Sequence, residues 1–291
     1  MAWSNAAFGT TVVAAAIFGA FLSLGLEQYG PSEILLPLST LPLPASLLAM
    51  FPWLSRPSEF TCQPHHYKSE ILSLDPLLIY IHDFLAPAEI PALLEAGEPL
   101  FQPSGIHSNK AGHKVKNQAR TSHSAILPAD LPVAQCVRDR AVDFLGTVLT
   151  VPQGDAVLPL QLVRYGPDQK FDAHYDWFAD DKLPEHGGIK WNRVATLLPI
   201  LEDDCTGGDT WFPNATVPAK AVAEVTRQGD AALWRVHELG GIAVRPVKGN
   251  AVAWINLLAN GTGDVRTKHA GLPVQSGRKT AINIWPTRFF S

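Results

Sequence analysis

The stretch YGPDQKFDAHYDWF, residues 165–178, places His174 and Asp176 two positions apart in a run with strand character. Side chains at i and i+2 stand on one face of a strand, so this imidazole and carboxylate can converge on a single metal ion. A His-x-Asp pair on its own is more often a structural hydrogen bond, so a metal reading needs a third ligand. In TKHAGLPVQSGRKTAINIW, residues 267–285, His269 supplies one, and Lys279 follows it after a turn containing Gly and Pro.

Two histidines and one carboxylate that leave coordination positions open form the facial triad of non-haem Fe(II) oxygenases. Further features fall in order around it. Tyr165 precedes the pair, and Arg193-Val194-Ala195-Thr196 begins an apolar run after it. Gly207-Gly208-Asp209-Thr210-Trp211-Phe212-Pro213 comes next, then Lys248-Gly249, Trp254-Ile255-Asn256, Asp264 and Gly277. In this order the residues resemble the catalytic domain of the prolyl 4-hydroxylase family of 2-oxoglutarate- and Fe(II)-dependent dioxygenases. The resemblance covers residues 75–285 and is most specific over 162–285.

The resemblance implies a mostly β fold with flanking helices, a double-stranded β-helix of the jelly-roll, cupin-like kind. It implies His174, Asp176 and His269 as the metal-ligating catalytic centre. It also implies cosubstrate-binding roles for Lys279, Tyr165 and Thr196, with Lys279 on the distal carboxylate of 2-oxoglutarate. Fe(II), 2-oxoglutarate, O2 and ascorbate are the expected cofactors and cosubstrates. Related halogenases carry a small residue where Asp176 stands, so the retained carboxylate points to hydroxylation. Peptidyl proline is the leading substrate, with release of succinate and CO2. A hydroxylase of a free amino acid or small metabolite is the second reading, and a catalytically silent, membrane-tethered binding protein is a rival of another class.

Alternation along the strand places Lys279, Ala281, Asn283 and Trp285 on one face and Arg278 on the other; the rival register turns Arg278 inward and leaves Lys279 on the surface, and the resemblance selects Lys279. An inward ammonium is costly unless an anion meets it, so the lysine implies a charged ligand. Trp177, Trp191 and Trp211 are candidates for a substrate groove, although aromatic residues more often belong to a core. Departures from the family pattern are Asp168 for a usual glycine, Phe171 for a frequent tyrosine, Ile200 for an aromatic position and Asn283 for a threonine. A long segment, residues 219–242, also intervenes between Pro213 and Lys248.

The chain has 291 residues, 46% of them hydrophobic, enough to bury one full core with accessory segments. A formal charge of -4 and a pI near 6.2 argue against a nucleic-acid binder. Short strands punctuated by Gly, Pro and Asp suit a sandwich or jelly roll. A strand is expected at 77–81 and helices at 87–95 and 131–149. Residues 106–120, which include Lys110, Lys114 and Lys116, lack an apolar period and read as a mobile surface loop.

Residues 6–26, AAFGTTVVAAAIFGAFLSLGL, hold no charge and are long enough to cross a bilayer as a helix. This run exceeds the ~7–15 apolar residues of a signal peptide and no basic segment precedes it, so an uncleaved signal anchor is the preferred reading. Residues 27–66 form a Pro/Leu-rich linker in which Pro37, Pro42, Pro44 and Pro52 break any continuous helix. The dioxygenase domain then spans 67–291. Cys62, Cys136 and Cys205 have no zinc-ligand spacing, and one disulfide plus a free thiol fits a lumenal enzyme. Sequons at Asn214-Ala215-Thr216 and Asn260-Gly261-Thr262 fit the secretory pathway. The expected location is the lumen of the endoplasmic reticulum, or outside the cell if the N-terminal segment is cleaved.

Overall fold

The computed structural model describes residues 60–107, 114–115, 118–146, 157–216, 219–229 and 232–290. The expected membrane segment, residues 6–26, and linker residues 27–59 lie outside the described residues. Among the described residues no helix is long and apolar enough to cross a membrane.

In chain order the strands are β1 (Lys68–Leu74), β2 (Leu77–His82), β3 (Gln102–Pro103), β4 (Ile106–His107), β5 (Lys114–Val115) and β6 (His123–Ile126). They continue as β7 (Gln161–Tyr165), β8 (Phe171–His174), β9 (Glu185–His186), β10 (Ile189–Arg193), β11 (Ala195–Gly207) and β12 (Thr210–Phe212). The last six are β13 (Trp234–Val236), β14 (Ile242–Val244), β15 (Ala251–Ile255), β16 (His269–Gly271), β17 (Val274–Asn283) and β18 (Thr287–Phe290). Among the described residues three α-helices accompany them: α1 (Glu89–Gly97), α2 (Pro132–Leu145) and α3 (Ala219–Gln228).

Eight strands form the large sheet, in the order β1-β2-β15-β11-β17-β7-β6-β3, and five form the small one, β13-β14-β12-β16-β8. The large sheet is apolar on both faces, and period-2 alternation divides its residues between two cores. Leu78, Tyr80, Val163, Leu198, Val252 and Trp254 join Phe212, Trp234 and Ile242 of the small sheet in one cluster. Their neighbours Ile81, Leu162, Leu197, Ala253 and Ile282 join Leu93 of α1 and Val133 and Val137 of α2 in the other. A strand covered on both sides needs a continuous apolar run, and all seven residues at the start of β11 are buried. The result is a mostly β jelly roll with helices packed outside its large sheet, as expected.

The helices are tied down by polar contacts as well as by packing. Glu89 accepts from the Ala86 N–H at 2.8 Å and pairs with both terminal nitrogens of Arg140 on α2 at 2.7 and 2.6 Å. Cys62 and Cys136 form a disulfide with Cα atoms 5.6 Å apart, which leaves Cys205 as the free thiol.

Several expected boundaries move. The described part of the second helix ends at Leu145 rather than 149, and Gly146 beyond it has a positive φ of 48°. Part of the stretch expected to be a loop pairs instead: Ile106 and His107 form a ladder with Val115 and Lys114. Asp168 has a positive φ of 62°, the left-handed region that favours glycine and that aspartate tolerates, which accounts for the usual glycine there.

Candidate active site

β8 and β16 are neighbours in the small sheet, and their register sets His174 directly opposite His269. Asp176 lies just past the end of β8 and turns inward, 6% exposed. One ligand atom from each of the three residues lies within 4.8 Å of the others. The Nε2 atoms of His174 and His269 each approach a different oxygen of Asp176, both at 3.7 Å.

Backbone carbonyls fix both imidazoles. The Nδ1 of His174 lies 2.8 Å from the Asp172 carbonyl and that of His269 3.0 Å from the Thr267 carbonyl. A carbonyl can only accept, so each Nδ1 donates to it and each Nε2 is turned toward the carboxylate. Burial, and then the neighbouring His269, pull His174 down to about 3, so its ring is neutral at pH 7. Burial opposes ionisation of Asp176, but His269, His174, Arg193 and the Thr196 hydroxyl outweigh it and hold the carboxyl down to about 2. Two imidazoles and an ionised carboxylate facing one point fit a divalent metal, and this donor set suits Fe(II).

The triad opens into a cavity of about 210 Å³ whose wall includes Lys279, Tyr165, Arg120, Arg193, Asn283 and Trp285. Lys279, 2% exposed, donates from Nζ to the Gly208 carbonyl at 2.6 Å and reaches the Thr210 hydroxyl at 3.4 Å. An ammonium has three donors, so one remains for a ligand. Burial lowers its pKa to about 8. Tyr165 stands opposite Lys279 in the β7–β17 register, with its ring centroid 5.8 Å from Nζ. Gly207 and Gly208 have positive φ values of 73° and 74°, in the region open to glycine. A Cβ on Gly208 would crowd Val274 Cγ2 at 3.1 Å and touch the Lys279 side chain at 3.4 Å.

Lys279, Ala281, Asn283 and Trp285 all line the cavity, whereas Arg278 points outward to Glu202 at 2.7 Å. Thr196 does not sit where the resemblance implied. Its hydroxyl donates to Asp176 Oδ2 at 2.7 Å and accepts from Asn256 Nδ2 at 2.8 Å, so it orients the triad carboxylate rather than the lysine pocket. The hydroxyl beside Lys279 belongs to Thr210 instead. Nor do Trp177, Trp191 and Trp211 line this cavity; Trp254 and Trp285 do. Trp177 lies under Gly263, Trp191 packs edge-on against Phe178 and Trp211 packs against His237.

Residue-type reasoning gave no site role to Arg120 or Arg193. Arg193 packs 3.6 Å above the Trp285 ring and donates to the Asp176 carbonyl at 3.2 Å. Its buried Nε has no partner among the described residues. Arg120 lies 4.6 Å over Phe171, which itself stacks 3.5 Å from His174. For Arg193 the available sign was its place at the mouth of an apolar run, where a buried charge asks for a reason; Arg120, followed by Thr121-Ser122-His123-Ser124, carries no such sign.

Residues 160–287 match the model of the 2OG-Fe(II) oxygenase superfamily. Prolyl 4-hydroxylase 1 of Arabidopsis thaliana is 34% identical over 221 residues, covering 75% of this chain and 71% of its own length. Prolyl 4-hydroxylase 5 of the same plant is 30% identical, covering 74% and 70%. Among solved structures, the viral collagen prolyl hydroxylase vCPH from Paramecium Bursaria Chlorella virus-1 shares the fold. That match has a TM-score of 0.50 at 20% identity and covers 81% of this chain and 100% of the viral one. Its triad, cavity and relatives together assign the chain to the prolyl 4-hydroxylase family of 2-oxoglutarate- and Fe(II)-dependent dioxygenases.

Proposed function

We propose that this enzyme hydroxylates proline within a peptide and converts 2-oxoglutarate to succinate and CO2 in the same turnover. The observation that carries the reading is one cavity holding both the His174, Asp176 and His269 cluster and the buried Lys279. Relatives named as prolyl 4-hydroxylases support the choice of substrate.

His174, Asp176 and His269 would hold Fe(II), which when bound supplies oxygen activation and the oxidation of an unactivated C–H bond. Around it the protein supplies geometry. The Asp172 and Thr267 carbonyls hold the two imidazoles. Thr196 and the Trp285 indole N–H, the latter 3.2 Å from Oδ2, hold the carboxylate. Lys279 would pair with the distal carboxylate of 2-oxoglutarate, with Tyr165 beside it. Ascorbate is the proposed accessory reductant. The proposed setting is a membrane-anchored enzyme with its catalytic domain in the secretory lumen.

Mass spectrometry of a proline-rich peptide panel, with succinate measured in parallel, tests the reading. A gain of one oxygen on proline, dependent on Fe(II) and 2-oxoglutarate, is the expected result. Succinate release that is coupled only to a free amino acid would reassign the substrate. No succinate under any condition would favour the silent binding protein.

A further inference from the structure

Within residues 219–242, the segment that sets this chain apart from its family pattern, lie α3 and β13, and β13 brings Arg235 to Asp209. Arg235 Nε donates to Asp209 Oδ2 at 2.8 Å. Asp209 is 4% exposed and sits between the two residues that grip Lys279, namely Gly208 through its carbonyl and Thr210 through its hydroxyl. A buried carboxylate and a buried ammonium are therefore held by one short turn, at the end of the cavity where a dicarboxylate would meet the lysine.

An uncompensated carboxylate at position 209 would oppose an incoming anion in two ways. It would compete for the lysine charge, and it would repel the ligand carboxylate. Arg235 approaches from the solvent side, 47% exposed, along a surface depression that it shares with His237 and Gln275. Arginine keeps its proton at any physiological pH, so its charge on Asp209 is constant. Tyr165 and Cys205 also face the ammonium, and burial pushes both of their pKa values up, so neither is charged at neutral pH.

We propose that Arg235 is a positioning residue for cosubstrate binding, which occupies the Asp209 carboxylate and so leaves the Lys279 ammonium free for a dicarboxylate. The proposal rests on Lys279 being the cosubstrate lysine, as read above. It gives the added segment a part in the reaction although none of its described residues lines the triad cavity.

The test is calorimetric titration of 2-oxoglutarate into the full chain loaded with Mn(II), between pH 6.5 and 9.5. Arg235→Gln is expected to raise the Kd about tenfold at neutral pH, a change of about 1.4 kcal/mol. The pH at which affinity fades should at the same time move upward, because Asp209 acts to raise the lysine pKa against the larger effect of burial. A merely structural lesion would not give that opposed pair of shifts. Asp209→Asn in the Arg235→Gln background should bring the Kd back to within about twofold of wild type, and Arg235→Lys should retain most of the affinity. An unchanged Kd in Arg235→Gln, or a double variant as weak as the single one, overturns the proposal. Lys279→Ala separates the two readings. If it binds normally, the lysine assignment falls and this proposal with it; if it loses affinity while Arg235→Gln does not, only the role of Arg235 is lost.

Discussion

At the scale of the residue, chemistry was legible wherever one side chain type in one register carries it. His174, Asp176 and His269 could be picked out because two imidazoles and a carboxylate in that order have few structural uses, and the fold brings all three within 4.8 Å. Replacing any one of them by alanine is expected to lower turnover at least a hundredfold or so, because a three-ligand site that loses a ligand neither holds nor orients its metal. Circular dichroism should stay native and metal content should fall; near-normal turnover at unchanged metal content would refute the assignment. With Lys279 on the distal carboxylate as proposed, Lys279→Ala would break one side of a buried ion pair, worth roughly 3–5 kcal/mol, so 2-oxoglutarate affinity should drop by about two to four orders of magnitude. Arg278→Ala should leave it near normal, since that side chain points outward to Glu202. Lys279 titrates near 8, so it is charged below that pH and loses its proton above it. Cosubstrate affinity is therefore expected to be level at neutral pH and to fall as the pH rises through about 8, and an affinity that stays flat to pH 9.5 would deny the ammonium its part. Thr196 was misplaced for a physical reason. Alternation fixes the face on which a hydroxyl sits, but which of two nearby carboxylates it meets depends on the position of Asp176, past the end of β8, where no period applies.

At the scale of the element, strands were easier to read than their edges. The run ATLLPIL at the start of β11 announces a strand covered on both faces, and the structure covers it with α1 and α2 on one side and the small sheet on the other. The pairing of Ile106 and His107 with Val115 and Lys114 could not be read, because a two-residue ladder carries no period. Nor does a sequence show that α1 and α2 are joined by charge. Glu89 and Arg140 have side chains only 3% and 10% exposed, and Arg140 also donates to the Phe84 carbonyl at 3.0 Å. Arg140→Ala would leave the glutamate buried without its counter-charge and is expected to cost about 3–5 kcal/mol of stability. Urea denaturation would show it as a lower midpoint at an unchanged slope. A loss under about 1 kcal/mol, the range of an exposed pair, would mean that water reaches Glu89 readily and that the two helices are held by packing alone.

At the scale of the whole molecule, the jelly roll and its cavity account for the described residues, and what remains is how the enzyme is placed in the cell. Three features bear on this. The uncharged run at residues 6–26 is long enough to cross a bilayer. Cys62 and Cys136 are bonded, which fits an oxidising compartment. Asn214 and Asn260 of the two sequons are both exposed, so each is accessible to a glycosylating enzyme. The proposed lumenal catalytic domain on a membrane anchor is consistent with all three, whereas a cytosolic enzyme would keep its thiols reduced and its sequons unused. The full chain expressed in a eukaryotic secretory host should therefore stay in the membrane pellet after alkaline carbonate extraction, and a chain beginning near Pro57 should be soluble. Treatment with an endoglycosidase should increase the mobility of the full chain on a gel, and Asn214→Gln with Asn260→Gln should abolish that increase. Recovery in the medium, with a mature N-terminus shortly after residue 26, would instead make the run a cleaved signal peptide. A soluble, unglycosylated product retained in the cytosol would overturn the lumenal placement altogether and leave the disulfide without an oxidising environment to explain it.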